Sequence, residues 1–231
     1  MNLRGYYPDK WLDITDEEWE NSPLHPQAMF DVKMFNKCYI NVSVDGTIYR
    51  KKADRGVSYT MDFSKQQKLN DTVINIYSAS MIQEIGDISR LYPGTVNLGR
   101  ATRLRSLTVG SNIPGYKNSN LTEFYVVDNE YESMLEYLYL QNLAYTTSGL
   151  NLTKCPSLLV LDATGSSFTG YDFATGGQLR EAYLQSPTSL IMKDLYDLTD
   201  ENLHIYNYDR MLSVVIEDCP HISSLSIVNN A

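Results

Sequence analysis

The C-terminal part of the chain repeats a short apolar pattern at nearly constant spacing. Apolar residues separated by one position form the pairs Leu161/Ala163, Ala182/Leu184, Leu203/Ile205 and Leu225/Ile227. Alternation of this kind is typical of a short strand with one buried face. The pairs recur about every 21–22 residues, and a period of about 20–29 residues around an L-x-x-L-x-L core is typical of leucine-rich repeats.

A second apolar series lies between the members of the first. It consists of the pairs Leu150/Leu152, Tyr171/Phe173, Leu190/Met192 and Val214/Ile216. Its steps are less regular, at about 19–24 residues, but centre on the same period. Two apolar pairs per repeat predict a coil with a short strand on each side. The predicted fold class is therefore mainly β, a leucine-rich-repeat-like β-solenoid with coils of about 21–22 residues.

Less regular copies of the pattern occur before residue 150. They are LRSLTVGSN at 104–112, LTEFYVVDN at 121–129 and LEYLYLQN at 135–142. The Asn that ends each copy is expected to satisfy backbone groups where the chain leaves the strand. The starts of successive copies are closer together than the minimum of about 20 residues for a regular coil. The number of coils in this part of the chain therefore stays open.

The N-terminal part has a different pattern. Residues 29–66 contain four short alternating segments, MFDVKMF, CYINVSV, TIYRKKA and GVSYTMDF, with turn signals at Asp45-Gly46 and at residues 54–56. They predict a small antiparallel β domain with a sheet of three or four strands. Its basic cluster is expected to be a solvated sheet edge, with contact to an acidic partner as the alternative. The cluster comprises Arg50, Lys51, Lys52 and Arg55.

The predicted division of the chain is 1–28, 29–66 and 67–231. Residues 1–28 are polar and acidic, with a short helix expected after Thr15, whose capping partner would be Glu18. Trp11 and Trp19 are expected to anchor this segment on a neighbouring surface. The solenoid would occupy the third part, and its final coil would be covered by a continuation of a longer chain, a second copy or another protein.

Composition narrows the classes of function. The 231 residues carry a formal net charge of −9, which disfavours binding to nucleic acid. We expect no membrane insertion, because no apolar run is long enough to span a bilayer. Cys38, Cys155 and Cys219 are too few for a disulfide framework and favour a reducing compartment. No catalytic or metal-binding motif occurs, and the acidic run from Asp194 to Glu201 is expected to be a solvated loop, so no cofactor is predicted.

The repeats together with their linkers carry a family resemblance. The segments involved are GDISRLYPGT, RATRLRSLTVGSNIPGYKNSNL, NLTKCPSLLVLDATGS and GGQLREAYL. Over roughly residues 70–231, the chain resembles leucine-rich-repeat-like proteins encoded by gut bacteria and their tailed phages. Members of this kind are commonly segments of large virion or tail-associated proteins. The resemblance implies a structural or adhesion role and supplies no catalytic residue.

Strand alternation also predicts a binding surface. If the leucines of each copy point inward, the residues between them point outward in columns. The predicted binding residues are Glu123, Tyr125, Tyr137, Tyr139, Asp162, Glu181, Tyr183 and His204. Such an aromatic and acidic face could hold a protein or a sugar. The alternative is that the tyrosines form a ladder that only stabilises the strands.

The predicted function is a non-enzymatic structural or adhesion component of a phage virion, in the tail or host-contact apparatus. Its partners would be other virion subunits or a molecule of the host surface. The competing prediction is a bacterial protein- or glycan-binding module, either an adhesin at the cell surface or a scaffold in the cytoplasm. A glycan hydrolase is the third possibility, since Asp162 and Glu181 would be neighbours, but hydrolysis requires two positioned carboxylates in a cleft.

Overall fold

The computed structural model describes residues 21–22, 29–44, 47–63, 74–77, 79–126, 131–144, 149–185, 187–206 and 211–223. Three predicted features lie outside these residues. They are the N-terminal helix with its two tryptophans, the Asp45-Gly46 turn, and the repeat pair Leu225/Ile227 with any cover over the final coil. The described residues form strands, turns and short 3-10 segments, with no α-helix among them.

The described strands are short and follow one another along the chain. In order they are β1 Met29–Met34, β2 Cys38–Val44, β3 Thr47–Ala53, β4 Ser58–Asp62, β5 Ile74–Ile76, β6 Ile82–Ile85, β7 Thr95–Asn97, β8 Ser106–Thr108, β9 Glu123–Tyr125, β10 Tyr137–Tyr139, β11 Leu150–Leu152, β12 Val160–Asp162, β13 Gly170–Phe173, β14 Glu181–Gln185, β15 Ser189–Lys193, β16 Leu203–Tyr206 and β17 Ser213–Glu217.

The even-numbered strands from β6 to β16 form one side of a solenoid. They lie parallel in the order β16-β14-β12-β10-β8-β6, and β1 and β4 extend this main sheet to eight strands. The register aligns Leu138 with Leu161, Leu161 with Ala182, and Ala182 with Leu203. The side chains of Leu138, Leu161 and Ala182 have no exposed surface. The predicted apolar pairs from Leu161/Ala163 to Leu203/Ile205 therefore do face the core, and the β-solenoid prediction is confirmed, with about five coils of about 22 residues.

The second apolar series forms the opposite side of the coils. Strands β11, β13, β15 and β17 are parallel, and their register aligns Leu150, Tyr171, Leu190 and Val214 as the sequence predicted. The two sheets bury their facing side chains up to Met192 in one continuous core, while on the last of these strands Ile216 packs partly against the core and Val214 is exposed. Burying each Leu of that core contributes roughly 1.5–3 kcal/mol, so the coils are held mainly by stacking on their neighbours.

The antiparallel strands predicted before the solenoid are confirmed, but they divide between two sheets. Strands β2 and β3 form a hairpin that is joined by β5, which gives a small antiparallel sheet. Strand β1 instead pairs antiparallel with both β4 and β6, which makes β1 and β4 the N-terminal edge of the main sheet. Phe30, Val32 and Met34 alternate toward the common core, and this alternation directs β1 onto the solenoid. We call β1 to β5 the cap.

The irregular spacing before residue 150 has a structural cause. Strand β8 pairs directly with β10, so that Leu107 lies beside Leu138, although the copy at 121–129 stands between them in the sequence. That copy does not belong to this sheet. Its strand β9 pairs parallel with β7 in a separate two-stranded sheet. The short steps between the three copies are therefore steps between the two sides of one wide coil.

Buried polar side chains hold the corners of the coils. Asn142 donates through Nδ2 to the carbonyl oxygen of Ser111 at 2.9 Å, as predicted for the Asn that ends a repeat. Ser166 is fully buried, accepts from the amide of Leu143 and donates to the carbonyl of Leu140. These contacts satisfy backbone groups that water cannot reach, which a buried corner requires.

Candidate binding surface

The outer side of the main sheet presents side chains from consecutive coils in aligned columns. One column contains Thr108, Tyr139, Asp162, Tyr183 and His204, and the next contains Ser106, Tyr137, Val160 and Glu181. All these side chains are half-buried, whereas their strand neighbours Leu107, Leu138 and Leu161 are fully buried. We call this surface, comprising Tyr137, Tyr139, Val160, Asp162, Glu181, Tyr183, His204 and Tyr206, the open face.

Aromatic rings stack along the C-terminal part of the open face. The rings of Tyr183 and His204 lie 4.5 Å apart between centroids, with planes inclined by 11°. His204 and Tyr206 are 6.5 Å apart and inclined by 14°. The first separation is close to the spacing of about 4.8 Å between neighbouring strands, so the register itself produces the stack. Stacking covers one face of Tyr183 and one face of His204, which reduces the aromatic surface that a partner can contact.

Two carboxylates lie among these rings. Asp162 accepts hydrogen bonds from Nε2 of Gln141 at 2.8 Å and from the amide of Thr164 at 3.0 Å. Glu181 accepts one from the hydroxyl of Tyr183 at 2.5 Å. Within the described chain, neither carboxylate has an Arg or Lys at ion-pair distance. The open face is therefore negatively charged, with no countercharge at ion-pair distance among the described residues.

Nearby basic residues are engaged elsewhere. Arg105 forms an ion pair with Glu136 between the approaches to β8 and β10. Arg180, which precedes β14, lies 3.4 Å from a carboxylate oxygen of Asp197. A Lys or Arg side chain of a partner would consequently contact carboxylates that are hydrogen-bonded but not neutralised by the described residues.

Two phenols of the open face, Tyr139 and Tyr183, have raised pKa values. The pKa of Tyr183 is raised to about 12, first by its hydrogen bond to Glu181 and then by burial and the neighbouring negative charges. Burial raises the pKa of Tyr139, and Tyr137, Asp162 and Glu181 raise it further. Both side chains are therefore neutral near pH 7.

The structure brings six of the eight predicted binding residues together. Tyr137, Tyr139, Asp162, Glu181, Tyr183 and His204 all lie on the open face. Glu123 and Tyr125 do not, which corrects their place in the predicted columns. They lie on β9, which pairs with β7 instead of β10. The cause is that an L-x-x-L-x-L copy has the same pattern on either side of a coil.

Sequence analysis missed two polar neighbours of the open face. Gln141 supports Asp162, and Gln185 accepts a hydrogen bond from the amide of Gly165 at 3.4 Å. The sequence does contain a signal for both, because they stand two positions after the outward-facing Tyr139 and Tyr183. Both residues would have been predicted if the alternation of outward-facing positions had been extended by two residues beyond Tyr139 and Tyr183.

Within the described residues, the possible metal ligands are not clustered, and two of the three thiols are buried. No group of three or more His, Cys, Asp or Glu residues in this part of the chain is arranged to hold a metal ion. Cys155 and Cys219 occupy equivalent corners, each three residues after the aligned positions Leu152 and Ile216, and both are buried. Among the described helical segments, none is long and apolar enough to cross a membrane.

Searches of protein-family models, curated proteins and solved structures each return no match to this chain. The class that its own geometry defines is a β-solenoid with an antiparallel cap at its N-terminal end.

Proposed function

We propose that the protein is a non-enzymatic structural or adhesion component that binds another protein through its open face. The observation that carries this proposal is the register-aligned group of tyrosines and uncompensated carboxylates on consecutive coils. Tyrosine supplies a large contact area at a low cost in side-chain entropy, and Asp162 and Glu181 favour a partner that brings Lys or Arg.

The setting we propose is a phage virion, in the tail or the host-contact apparatus. The support is the resemblance of residues 70–231 to leucine-rich-repeat-like proteins of gut bacteria and their tailed phages. A protein partner would then be another virion subunit or a protein of the host surface. Immunogold labelling of purified particles, with an antibody against this chain, tests the setting. Particles that never carry the label would remove the virion from the proposal while leaving the binding face to be tested separately.

The binding face is tested by paired alanine variants. Tyr139→Ala/Tyr183→Ala removes two aromatic side chains from the open face, and Tyr125→Ala/Tyr196→Ala removes two exposed ones elsewhere. We expect the first variant to lose incorporation into particles or attachment to host cells at least tenfold, while the second retains both. Circular dichroism should show the same fold for both. Equal behaviour of the two variants would mean that the tyrosines form only a stabilising ladder.

A glycan ligand is the second candidate, and the polar groups of the face favour it. Asp162 and Gln185, which are only half-buried, offer the carboxylate and amide groups that bind sugar hydroxyls. The stack of Tyr183 on His204 opposes it, because sugar rings pack on exposed aromatic faces and each of these two rings has one face covered by the other. Binding to an array of bacterial surface glycans, lost in Tyr139→Ala/Tyr183→Ala but kept in Tyr125→Ala/Tyr196→Ala, would replace the protein partner with a glycan.

A further inference from the structure

Charge is distributed very unevenly along the solenoid. Within 29–117, the described residues contain 11 Lys and Arg against 5 Asp and Glu, a net charge of +6. Within 118–231, the described residues contain 3 against 12, a net charge of −9. The first group belongs to the cap and to the chain up to and just beyond β8, and the second to the chain that carries β9 to β17. Since the main sheet orders its strands from β4 at one edge to β16 at the other, the described part of the molecule is positive toward the cap and negative toward the far end.

The positive end combines basic and apolar side chains on the outermost strands of the cap. Strand β3 and the turn that leads to β4 carry Ile48, which is 65% exposed, and Val57, which is 46% exposed. The basic side chains here lie over aromatic rings: Arg50 over Tyr39 at 3.8 Å, Lys51 over Tyr59 at 5.2 Å and Arg55 over Phe35 at 5.7 Å. Among the described residues, none of these three cations forms an ion pair. Because Arg50 and Lys51 point to opposite faces of β3, these cations surround the strand and do not form one flat patch. We call the edge of the molecule formed by β3 and the turn to β4, with Lys52 included, the basic end.

The opposite end combines acidic and apolar side chains on the last coil that the structure describes. Leu212 is 89% exposed and Val214 is 40% exposed, both at the start of β17. Glu201, just before β16, and Asp218, just after β17, are exposed and have no Lys or Arg at ion-pair distance in the described part of the chain. We call this surface the acidic end.

We propose that the basic end of one copy binds the acidic end of a second copy, so that the solenoids associate head to tail. The occupant is a second copy because this chain itself carries both complementary surfaces, each with exposed apolar side chains and with charges that form no ion pair among the described residues. Such an interface is heterologous, and each bound pair still exposes one free end of each kind. This contact does not use the open face. It would place the end of one solenoid on the cap of the next, so that the cores of successive copies follow one another.

The net charge of −9 does not prevent this association. The two edges of the eight-stranded sheet are roughly 34 Å apart, from seven spacings of about 4.8 Å each. At an ionic strength of about 0.1 M the Debye length is about 10 Å, so each end responds to the local charge opposite it and hardly to the distant half. The charges that face each other at the contact, and not the net charges of the two copies, therefore determine whether the interaction is attractive.

Sedimentation velocity of the full chain tests the proposal. At an ionic strength of about 0.1 M we expect the average mass to rise with protein concentration, and at about 1 M, where the Debye length is about 3 Å, to approach that of the monomer. Arg50→Glu/Lys52→Glu at the basic end should give a monomer, and so should Glu201→Lys/Asp218→Asn at the acidic end. Asn is chosen at position 218 because the residue there has a φ of +50°, which Asn tolerates.

Mixing the two monomeric variants is the decisive experiment. Each retains one intact end, so an equimolar mixture should associate again, whereas either variant alone stays monomeric. If the copies instead associated through a symmetric interface between identical patches, mixing would not restore association. A mixture that stays monomeric would therefore overturn the proposal. The matched control is Lys117→Glu/Lys154→Glu, which changes the net charge as much as the basic-end variant does, at exposed sites away from both ends. It should associate like the wild type.

Two further results complete the test. If a charge-reversed variant fails to fold by circular dichroism, Arg50→Gln/Lys52→Gln takes its place, with the expectation of at least tenfold weaker association. A wild-type chain that stays monomeric at low salt across the accessible concentrations would overturn the proposal. Binding of a fluorescent oligonucleotide by such a monomer, lost in Arg50→Glu/Lys52→Glu, would assign the basic end to a polyanion instead.

Discussion

The hydroxyl of Tyr183 donates a hydrogen bond of 2.5 Å to Oε1 of Glu181, two residues earlier on the same strand. Both side chains point outward from β14, so the hydrogen bond lies on the open face and involves no neighbouring coil. The hydrogen bond favours the neutral phenol, because an ionised Tyr183 would face the Glu181 carboxylate with no proton between them.

This relationship predicts a pH dependence. The pKa of Tyr183 rises from its ordinary value near 10 to about 12. Because the folded state holds the phenolic proton more tightly, this contribution to stability is complete below pH 10 and is lost as pH rises toward 12. NMR titration of labelled tyrosine rings should show one resonance, absent in Tyr183→Phe, that titrates near pH 12. In Glu181→Gln its pKa should fall, because the largest cause of the shift is removed. An unchanged pKa in Glu181→Gln would contradict the assignment.

A close approach at Gly165 predicts a specific loss of stability. Its φ is +72°, and an added Cβ would lie 2.1 Å from Oδ1 of Asn142, whose side chain is fixed by its bond to Ser111. Gly176 has almost the same φ, +69°, but open space around the same position. Gly165→Ala and Gly176→Ala therefore share the conformational strain of about 1 kcal/mol, and only Gly165→Ala adds overpacking of about 1–3 kcal/mol.

Urea unfolding of the two glycine variants measures this difference. The midpoint for Gly165→Ala should lie clearly below that for Gly176→Ala. Equal midpoints would show that the Asn142 side chain moves aside without cost and is not needed at the corner.

Stacking of the coils predicts that a single core leucine matters to several coils. Leu161 is fully buried between Leu138 and Ala182, whereas Leu212 is 89% exposed. We expect Leu161→Ala to lower the free energy of unfolding by about 2–5 kcal/mol and Leu212→Ala to change it by less than about 0.5 kcal/mol. Hydrogen exchange should accelerate in β10 and β14 as well as in β12. Faster exchange confined to β12 would contradict a solenoid stabilised by its neighbours.

Burial of the thiols predicts an order of reactivity. The pKa of Cys155 is raised to about 12, chiefly by burial, whereas Cys38 is only half-buried. Near pH 8 a thiol-reactive disulfide reagent should modify Cys38 first and reach Cys155 only when the protein unfolds. Peptide mapping after brief labelling identifies the modified residues, and Cys38→Ser should abolish the early reaction. Rapid labelling of native Cys155 would show that its corner opens without unfolding.

The sequence predicted the regular half of the molecule well for a simple reason. Between Leu150 and Ile205 successive coils have nearly the same length, so position along the chain translates directly into position in the sheet. Alternation then decides which residues point outward, and it placed Tyr139, Asp162 and Tyr183 correctly on one face.

The earlier part could not be predicted in the same way. Apolar periodicity shows that Phe124 is buried but not which of two sheets it faces, and only pairing with Val96 on β7 decides this. Strand β7 itself lies in a turn-rich linker with a single buried apolar residue, Val96, at its centre. The place of β1 beside β6 also depends on contact between residues as distant in the chain as Lys33 and Glu84, which local patterns do not encode.

The order of cap and coils along the chain has a consequence for how the protein is made. The ribosome completes β1 to β5 before β6 emerges, so one end of the core is closed before the first coil arrives. Each later strand of the regular coils pairs with a strand that was completed one coil earlier. Folding can therefore advance as translation proceeds, because every new regular coil pairs with a coil that is already complete. No regular coil has to keep its apolar side exposed until a later partner is synthesised.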